Sequence, residues 1–206
     1  LMDDANGNLF AVTGYQNTGT AGVYKFSSVN GILQNTPSLV LSLPATSWPN
    51  QLAIDATGNM YVENLGGVAR YSPTGPGGSY VLSATLTSTP TAVQSIAVDA
   101  AGNLFLATIS QGILKYAFDA TTNTFASSPT QISPVNSLYT AVTADGSTVF
   151  GTDNSFHLSY SSGGTTTSFG TTQGYPLAVD SDDNLYTTSP AGTVQLYSPT
   201  GGIYGG

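Results

Sequence analysis

The chain has 206 residues, 40% of them hydrophobic, which suits one all-β domain or an array of small repeats and is too apolar for a disordered chain. Charged residues are only 7%, against roughly a quarter in an ordinary domain. A formal charge of −8, with Lys25, Arg70 and Lys115 as the only lysine and arginine residues, argues against a nucleic-acid partner and against an anionic membrane surface.

The absence of cysteine leaves no disulfide framework and no thiolate metal site. No apolar run approaches the ~18 residues that would suggest membrane insertion. A Ser/Thr/Gly-rich, Lys-poor, acidic chain fits a secreted or cell-surface bacterial protein, extracellular rather than cytoplasmic. No signal peptide stands at Leu1, which falls inside a strand-like stretch, and the chain closes on Gly201-Gly202-Ile203-Tyr204-Gly205-Gly206. It reads as a processed or truncated piece of a longer product.

Taken in order, the chain repeats one unit, clearest at Leu52-Ala53-Ile54-Asp55-Ala56-Thr57-Gly58-Asn59-Met60-Tyr61-Val62. An apolar strand runs into Asp, turn residues, Gly and Asn, and then into an alternating strand. The turn recurs at Gly7, Gly58, Gly102, Gly146 and Asp183, about 37 to 51 residues apart. First strands are expected at Leu1–Asp4, Leu52–Asp55, Ile96–Asp99, Thr140–Thr143 and Leu177–Asp180. Second strands follow at Leu9–Thr13, Met60–Asn64, Leu104–Thr108, Thr148–Thr152 and Leu185–Ser189. Third strands are expected at Val23–Phe26, Val68–Tyr71, Ile113–Tyr116, His157–Tyr160 and Val194–Tyr197. Weaker fourth strands fall at Leu39–Leu43, Tyr80–Leu86, Thr124–Ile132 and Thr165–Phe169, with Ile203-Tyr204 beginning a fifth.

In the turn, Asp4, Asp55, Asp99 and Asp180 are placed to accept backbone N–H groups that follow them. The glycines supply positive φ, a role Asp183 takes over in the last repeat. Strand-rich repeats of this length point to an all-β fold, a β-propeller of about five four-stranded antiparallel blades over residues 1–206. The third-strand aromatics Phe26, Tyr71, Tyr116, Tyr160 and Tyr197 share one repeat position and read as a ring of equivalent core residues.

The unit L-A-I-D-A-T-G-N-M-Y-V followed by V-A-R-Y-S-P-T-G resembles the NHL repeat, with good copies in repeats two, three and five and weaker ones in repeats one and four. The resemblance covers nearly the whole chain and implies a fold rather than an activity. It implies first strands lining a central channel, with the loops after strands two and four sharing one rim. NHL-like propellers include protein- and RNA-binding modules and metal-dependent lyases whose sites hold several histidines. This chain has one, His157, at a third-strand position held elsewhere by Val23, Val68, Ile113 and Val194, where a packed or half-buried histidine is expected.

On that rim the residues entering the first strands, Trp48, Asn50, Gln51, Gln94, Tyr139 and Tyr175, form a candidate ligand-binding mouth, with Ser95, Asn136 and Gln173 at equivalent approaches. Aromatics stack on sugars and amides pair with hydroxyls, so protein or glycan is the expected partner class. The bland alternative is that Trp48-Pro49 and Tyr175-Pro176 pin loops. Glu63 and Asp153, near second-strand ends, offer a carboxylate pair for acid–base work or calcium, or simply solvated edge charge. They anchor the competing reading of a lyase or hydrolase at the channel mouth near Trp48. Lys25, Arg70 and Lys115 share a third-strand position, with Ser159 and Leu196 as the counterparts in repeats four and five. They are expected to mark an edge where a second copy of the chain docks, and so weak a surface charge favours self-assembly. No phosphate cradle, nucleophile elbow or metal-ligand cluster is present, so no catalytic residue, metal or cofactor is assigned.

Overall fold

The computed structural model describes residues 1–14, 21–44, 49–64, 67–75, 79–86, 89–90, 92–169, 175–189 and 191–198. It is all-β: five small antiparallel meander sheets of a five-blade β-propeller, with no helix among the described residues. The first four sheets have four strands each, and three strands of the fifth are described. The chain divides into two compact units, one of residues 1–89 and 119–125, the other of residues 90–118 and 126–206.

In the first unit, blade 1 is built from Met2–Asp3, Leu9–Thr13, Ala21–Phe26 and Ser38–Leu43. Blade 2 is built from Gln51–Ile54, Met60–Asn64, Gly67–Pro73 and Tyr80–Leu86. In the second unit, blade 3 comprises Val93–Val98, Leu104–Thr108, Gly112–Tyr116 and Thr130–Ser133. Blade 4 comprises Tyr139–Val142, Thr148–Thr152, Leu158–Ser162 and Thr165–Phe169, and blade 5 Tyr175–Val179, Leu185–Thr188 and Val194–Tyr197.

The first turn of each blade is a local hydrogen-bonding device. Asp55 Oδ1 accepts the N–H groups of Thr57 and Asn59, each at 2.9 Å, and Oδ2 accepts the Asn59 amide at 2.8 Å. Asp4, Asp99 and Asp180 repeat the pattern with Asn8, Asn103 and Asn184. The fourth residue of the turn sits in the left-handed region, at φ 82° for Gly58 and 64° for Asp183, as the turn chemistry requires. Two of these asparagines also reach forward: Asn8 Oδ1 accepts the Ser28 N–H at 2.9 Å and Asn103 Oδ1 the Phe118 N–H at 3.0 Å. Each thus fixes where the third strand departs.

Blade 4 differs by one residue. Thr143 replaces the aspartate, and its N–H bonds to Thr148 O, five residues on rather than four. Its hydroxyl accepts the Thr148 N–H at 3.1 Å, while Asp145 caps Ser147 at 2.9 Å. This extra residue shifts everything downstream. Val149, paired with Val142, is the counterpart of Leu9, Met60, Leu104 and Leu185. Three sequence expectations change accordingly. The apolar position of Val23, Val68, Ile113 and Val194 is filled in blade 4 by Leu158, not His157. The counterpart of Lys25, Arg70 and Lys115 is Tyr160, not Ser159, and the aromatic position of Phe26, Tyr71, Tyr116 and Tyr197 is held by Ser161. The five-aromatic core ring is therefore broken at blade 4, and only Tyr116 and Tyr197 of its members are fully buried.

The register brings out a different aromatic position, on the second strands: Phe10, Tyr61, Phe105, Phe150 and Tyr186. The first four are buried, and Tyr186 is exposed. This face packs on the next blade wherever a shared cluster is described. Phe10 and Val12 meet Met60 and Val62, Phe105 and Ile113 meet Val149, and Phe150 and Leu158 meet Leu185 and Tyr197. Apolar faces that a lone four-stranded sheet would leave wet are buried in these seams.

The expected fourth strand Thr124–Ile132 is interrupted. Thr124–Phe125 instead pairs with Phe118–Asp119 in a hairpin, and only Thr130–Ser133 joins blade 3. A matching hairpin, Ser28–Val29 with Ile32–Leu33, follows the third strand of blade 1. Residues 119–125 belong with the first unit: Phe125 packs edge-on against Tyr61 at 6.3 Å, and Asn123 bonds to Arg70 and to the Ser83 carbonyl. Ile203-Tyr204 lies outside the described residues.

Candidate functional site

The residues singled out for the mouth lie where the first strands begin. In the first unit, Asn50 is exposed and its N–H donates to Glu63 O at 3.2 Å, while Gln51 pairs with Glu63 at the start of its strand. Trp48 and Gln173 lie outside the described residues.

In the second unit three of the residues are brought to one end of neighbouring strands. The first strands of blades 3, 4 and 5 run side by side, and Gln94, Tyr139 and Tyr175 stand at or beside their starts. Tyr139 pairs with Thr152 and Tyr175 with Thr188, the last residues of their second strands. Gln94 falls in a register shift between Val93 and Ser95, and its amide donates weakly to Ala92 O and Val93 O, both at 3.4 Å. Ala92, two residues earlier, is held at φ 63°, a conformation that costs an alanine about 1–2 kcal/mol. Ser95 is buried and ties the strands together, its Oγ accepting the Thr140 N–H at 3.4 Å. Asn136 is exposed.

Residues that pattern reading passed over complete this end. Ser137 is fully buried, its N–H bonding to Thr108 O at 2.8 Å and its hydroxyl to Val135 O at 3.0 Å. Thr108, also fully buried, bonds through its hydroxyl to Gly112 O at 3.0 Å and accepts the Gln111 N–H at 2.9 Å. Nothing in the sequence distinguishes them from the many surface Ser and Thr.

The two carboxylates of the enzyme reading have different surroundings. Glu63 is half-buried opposite Gln51 and Val68; its Oε2 is buried with no hydrogen-bond partner among the described residues, and burial pushes its carboxyl above the usual range. Asp153 caps a turn, accepting the N–H groups of Ser155 at 2.7 Å and His157 at 2.9 Å, with the His157 ring Nδ1 at 3.0 Å from Oδ2. Burial raises its pKa, but the hydrogen bonds from His157 and Ser155 outweigh that and leave it lowered. His157 itself is 59% exposed, against the expectation of a packed or half-buried ring. The one-residue shift in blade 4 moves it out of the apolar row into the turn.

Among the described residues no three His, Asp or Glu side chains converge as a metal site would require. The recurrent aspartates are each held within their own turn. Asp180 is kept below the usual range first by the Asn184 amide, and Asp145 first by the Ser147 N–H.

The three cations are accounted for by the register. Lys25 pairs with Phe10, Arg70 with Tyr61 and Lys115 with Phe105. Each charge stands over the ring of its partner, at 5.7, 6.0 and 5.3 Å to the centroid. Arg70 is bound further by Tyr61 Oη at 3.2 Å, Ser83 Oγ at 3.0 Å and Asn123 Oδ1 at 3.2 Å, and Tyr61 donates to Asp55 at 3.0 Å. Lys115 lies 3.9 Å from Asp99.

No known protein family matches the chain, and none of the curated proteins does. Among solved structures it is similar to hydrazine synthase from Kuenenia stuttgartiensis, with a TM-score of 0.51 and 13% sequence identity. The match covers 76% of this chain and 48% of that one, so the chain spans about half the length of the structure it resembles. At that identity the likeness concerns the fold alone.

Proposed function

We propose that this propeller, NHL-like in its repeats, is a non-catalytic extracellular module that binds protein or glycan, copies of itself included. The observation that carries the reading is that Gln94, Tyr139 and Tyr175 stand at or beside the starts of three adjacent strands of the second unit. Amide and aromatic residues at one end of adjacent strands suit hydroxyl-bearing or peptide ligands. Its support is also negative in kind: the recurrent aspartates are occupied in turns and the cations over rings, so these groups already have structural roles. Glycan and peptide arrays probed with the wild type, Tyr139→Ala and Gln94→Ala test it. Binding that weakens tenfold or more in the variants supports the site; binding indifferent to both removes it. Sedimentation at high concentration tests self-association, and a strict monomer removes that part.

A hydrolase or lyase is the second reading, favoured by the half-buried Glu63 carboxyl with an unpartnered oxygen. Turnover of any glycan or peptide on those arrays that is abolished by Glu63→Gln would replace the first reading with this one.

A further inference from the structure

The seams between blades use one pair of positions in a comparable way: counted from the row of Leu9, Met60, Leu104, Val149 and Leu185, the fourth residue of one second strand and the third of the next. In the seam of blades 1 and 2 these are Val12 and Val62, both in the apolar cluster. In the seam of blades 3 and 4 they are Ala107 and Gly151, and the space a Cβ on Gly151 would need is taken by Ile113 Cδ1 at 2.7 Å and Ser137 Oγ at 3.0 Å. In the seam of blades 4 and 5 they are Thr152 and Thr187. Thr152 pairs with Leu158 and Thr187 with Leu177, and both of these leucines belong to the apolar cluster of that seam. Both threonines therefore face into it.

Thr152 is 0% and Thr187 2% exposed, and neither hydroxyl has a hydrogen-bond partner among the described residues. Threonine is close to valine in shape, so valine would fill either position as it does in the first seam. A buried hydroxyl left unpaired is destabilising, because it gives up its hydrogen bonds to water and gains none. Two such costs facing one seam, where an isosteric apolar residue is used elsewhere, point to a shared partner. Phe150, Tyr160, Phe169 and Tyr197 make ring contacts of 5.2 to 6.3 Å in the same seam, and Gln195, which pairs with Thr187, accepts the Tyr197 hydroxyl at 3.0 Å.

We infer that Thr152 and Thr187 form a binding site for one buried water molecule that bridges blades 4 and 5. A water held by two hydroxyls meets the minimum of about two polar partners that buried waters need. It gives a largely apolar contact a fixed register. This site is independent of the ligand-binding reading above.

The test is a double-mutant cycle with Thr152→Val and Thr187→Val, read by melting midpoint. Each single variant leaves the opposite hydroxyl and the water short of a partner, and lowers the midpoint by about 2–4 °C. The double variant has a dry valine seam like Val12 and Val62, and lowers it no further than either single. A midpoint raised in either single variant, or strictly additive losses, overturns the inference. A second measurement on the wild type keeps the test decisive if a variant fails to fold. Nuclear Overhauser transfer from a long-lived water to the methyl protons of both Thr152 and Thr187 is expected, and its absence also overturns the site.

Discussion

Replacing Asp99 by alanine separates the turn device from its burial. Asp99 is 2% exposed, and its carboxylate accepts Ala101 N–H at 3.0 Å, Asn103 N–H at 2.9 Å and the Asn103 amide at 2.7 Å, with Lys115 at 3.9 Å. The turn of blade 4 lies over it: Ala100 N–H bonds to Ala144 O at 2.8 Å, and a Cβ on Gly146 would stand 2.5 Å from Asp99 Oδ2. Bonds to a charged acceptor contribute about 1.5–3 kcal/mol each. The three are not additive, because the turn can relax and the Ala101 N–H can reach water. The expected loss for Asp99→Ala is about 3 kcal/mol. Asp4 makes the same three bonds, at 2.9, 3.0 and 2.8 Å, in a half-buried turn. With water able to replace the acceptor there, Asp4→Ala is expected to cost about 1 kcal/mol. At about 2–4 °C per kcal/mol for a chain of this size, the melting midpoints fall by about 6–12 °C and 2–4 °C. Urea titration of the three proteins side by side gives the free energies directly. Equal losses, or an Asp99→Ala protein within about 1 kcal/mol of wild type, would refute the claim that seam burial rather than turn geometry sets the cost.

Glycine positions divide by surroundings: Gly58→Ala, at φ 82° with open space around it, should cost about 1–2 kcal/mol by thermal melting. Gly112→Ala, at φ 74° with its Cβ 2.0 Å from Ser133 O, should cost well beyond that or prevent soluble expression. Glu63→Gln should raise the melting midpoint at pH 8, because burial raises this carboxyl's folded pKa and the charged form is the disfavoured one. The sign follows: its contribution to stability is present below the unfolded pKa and is lost as pH rises through the raised folded pKa, so the advantage of the variant should vanish near pH 4. Asp153 and Asp180 have lowered folded pKa values, so the stability they contribute is present above the ordinary aspartate range and lost on acidification through their folded values. Asp180→Asn should flatten the acid limb of a pH–melting curve. Arg70→Met, which removes the links to Tyr61, Ser83 and Asn123, should loosen the 119–125 hairpin, read as faster amide exchange at Asn123 and Phe125 than in the wild type.

Most of the fold was legible because its chemistry is short-range. The Asp-x-x-Gly-Asn turn closes within four residues, so the positions of the turns and of four of the five second strands could be read to the residue. The left-handed Asp183 followed from the same logic. Of the candidate mouth, the sequence placed Gln94, Tyr139 and Tyr175 in the approaches to first strands, which in fact begin one to three residues earlier and take them in. It gave no sign of the hydroxyls of Thr108 and Ser137, whose significance is only their burial.

What tertiary structure decided is register and facing. A single extra residue in the turn of blade 4 left the alternation of apolar residues intact, yet it moved His157 out of the strand and put Tyr160 in the row of the cations. Alternation alone cannot detect this, because a strand pattern looks the same from either neighbour until its partner is known. Likewise, the rings beneath Lys25, Arg70 and Lys115 lie 9 to 15 residues away in sequence and become neighbours only through strand pairing. Local hydrogen bonds are written in the order of the residues; which face of a blade is buried, and against what, is settled only when a second blade is laid on it.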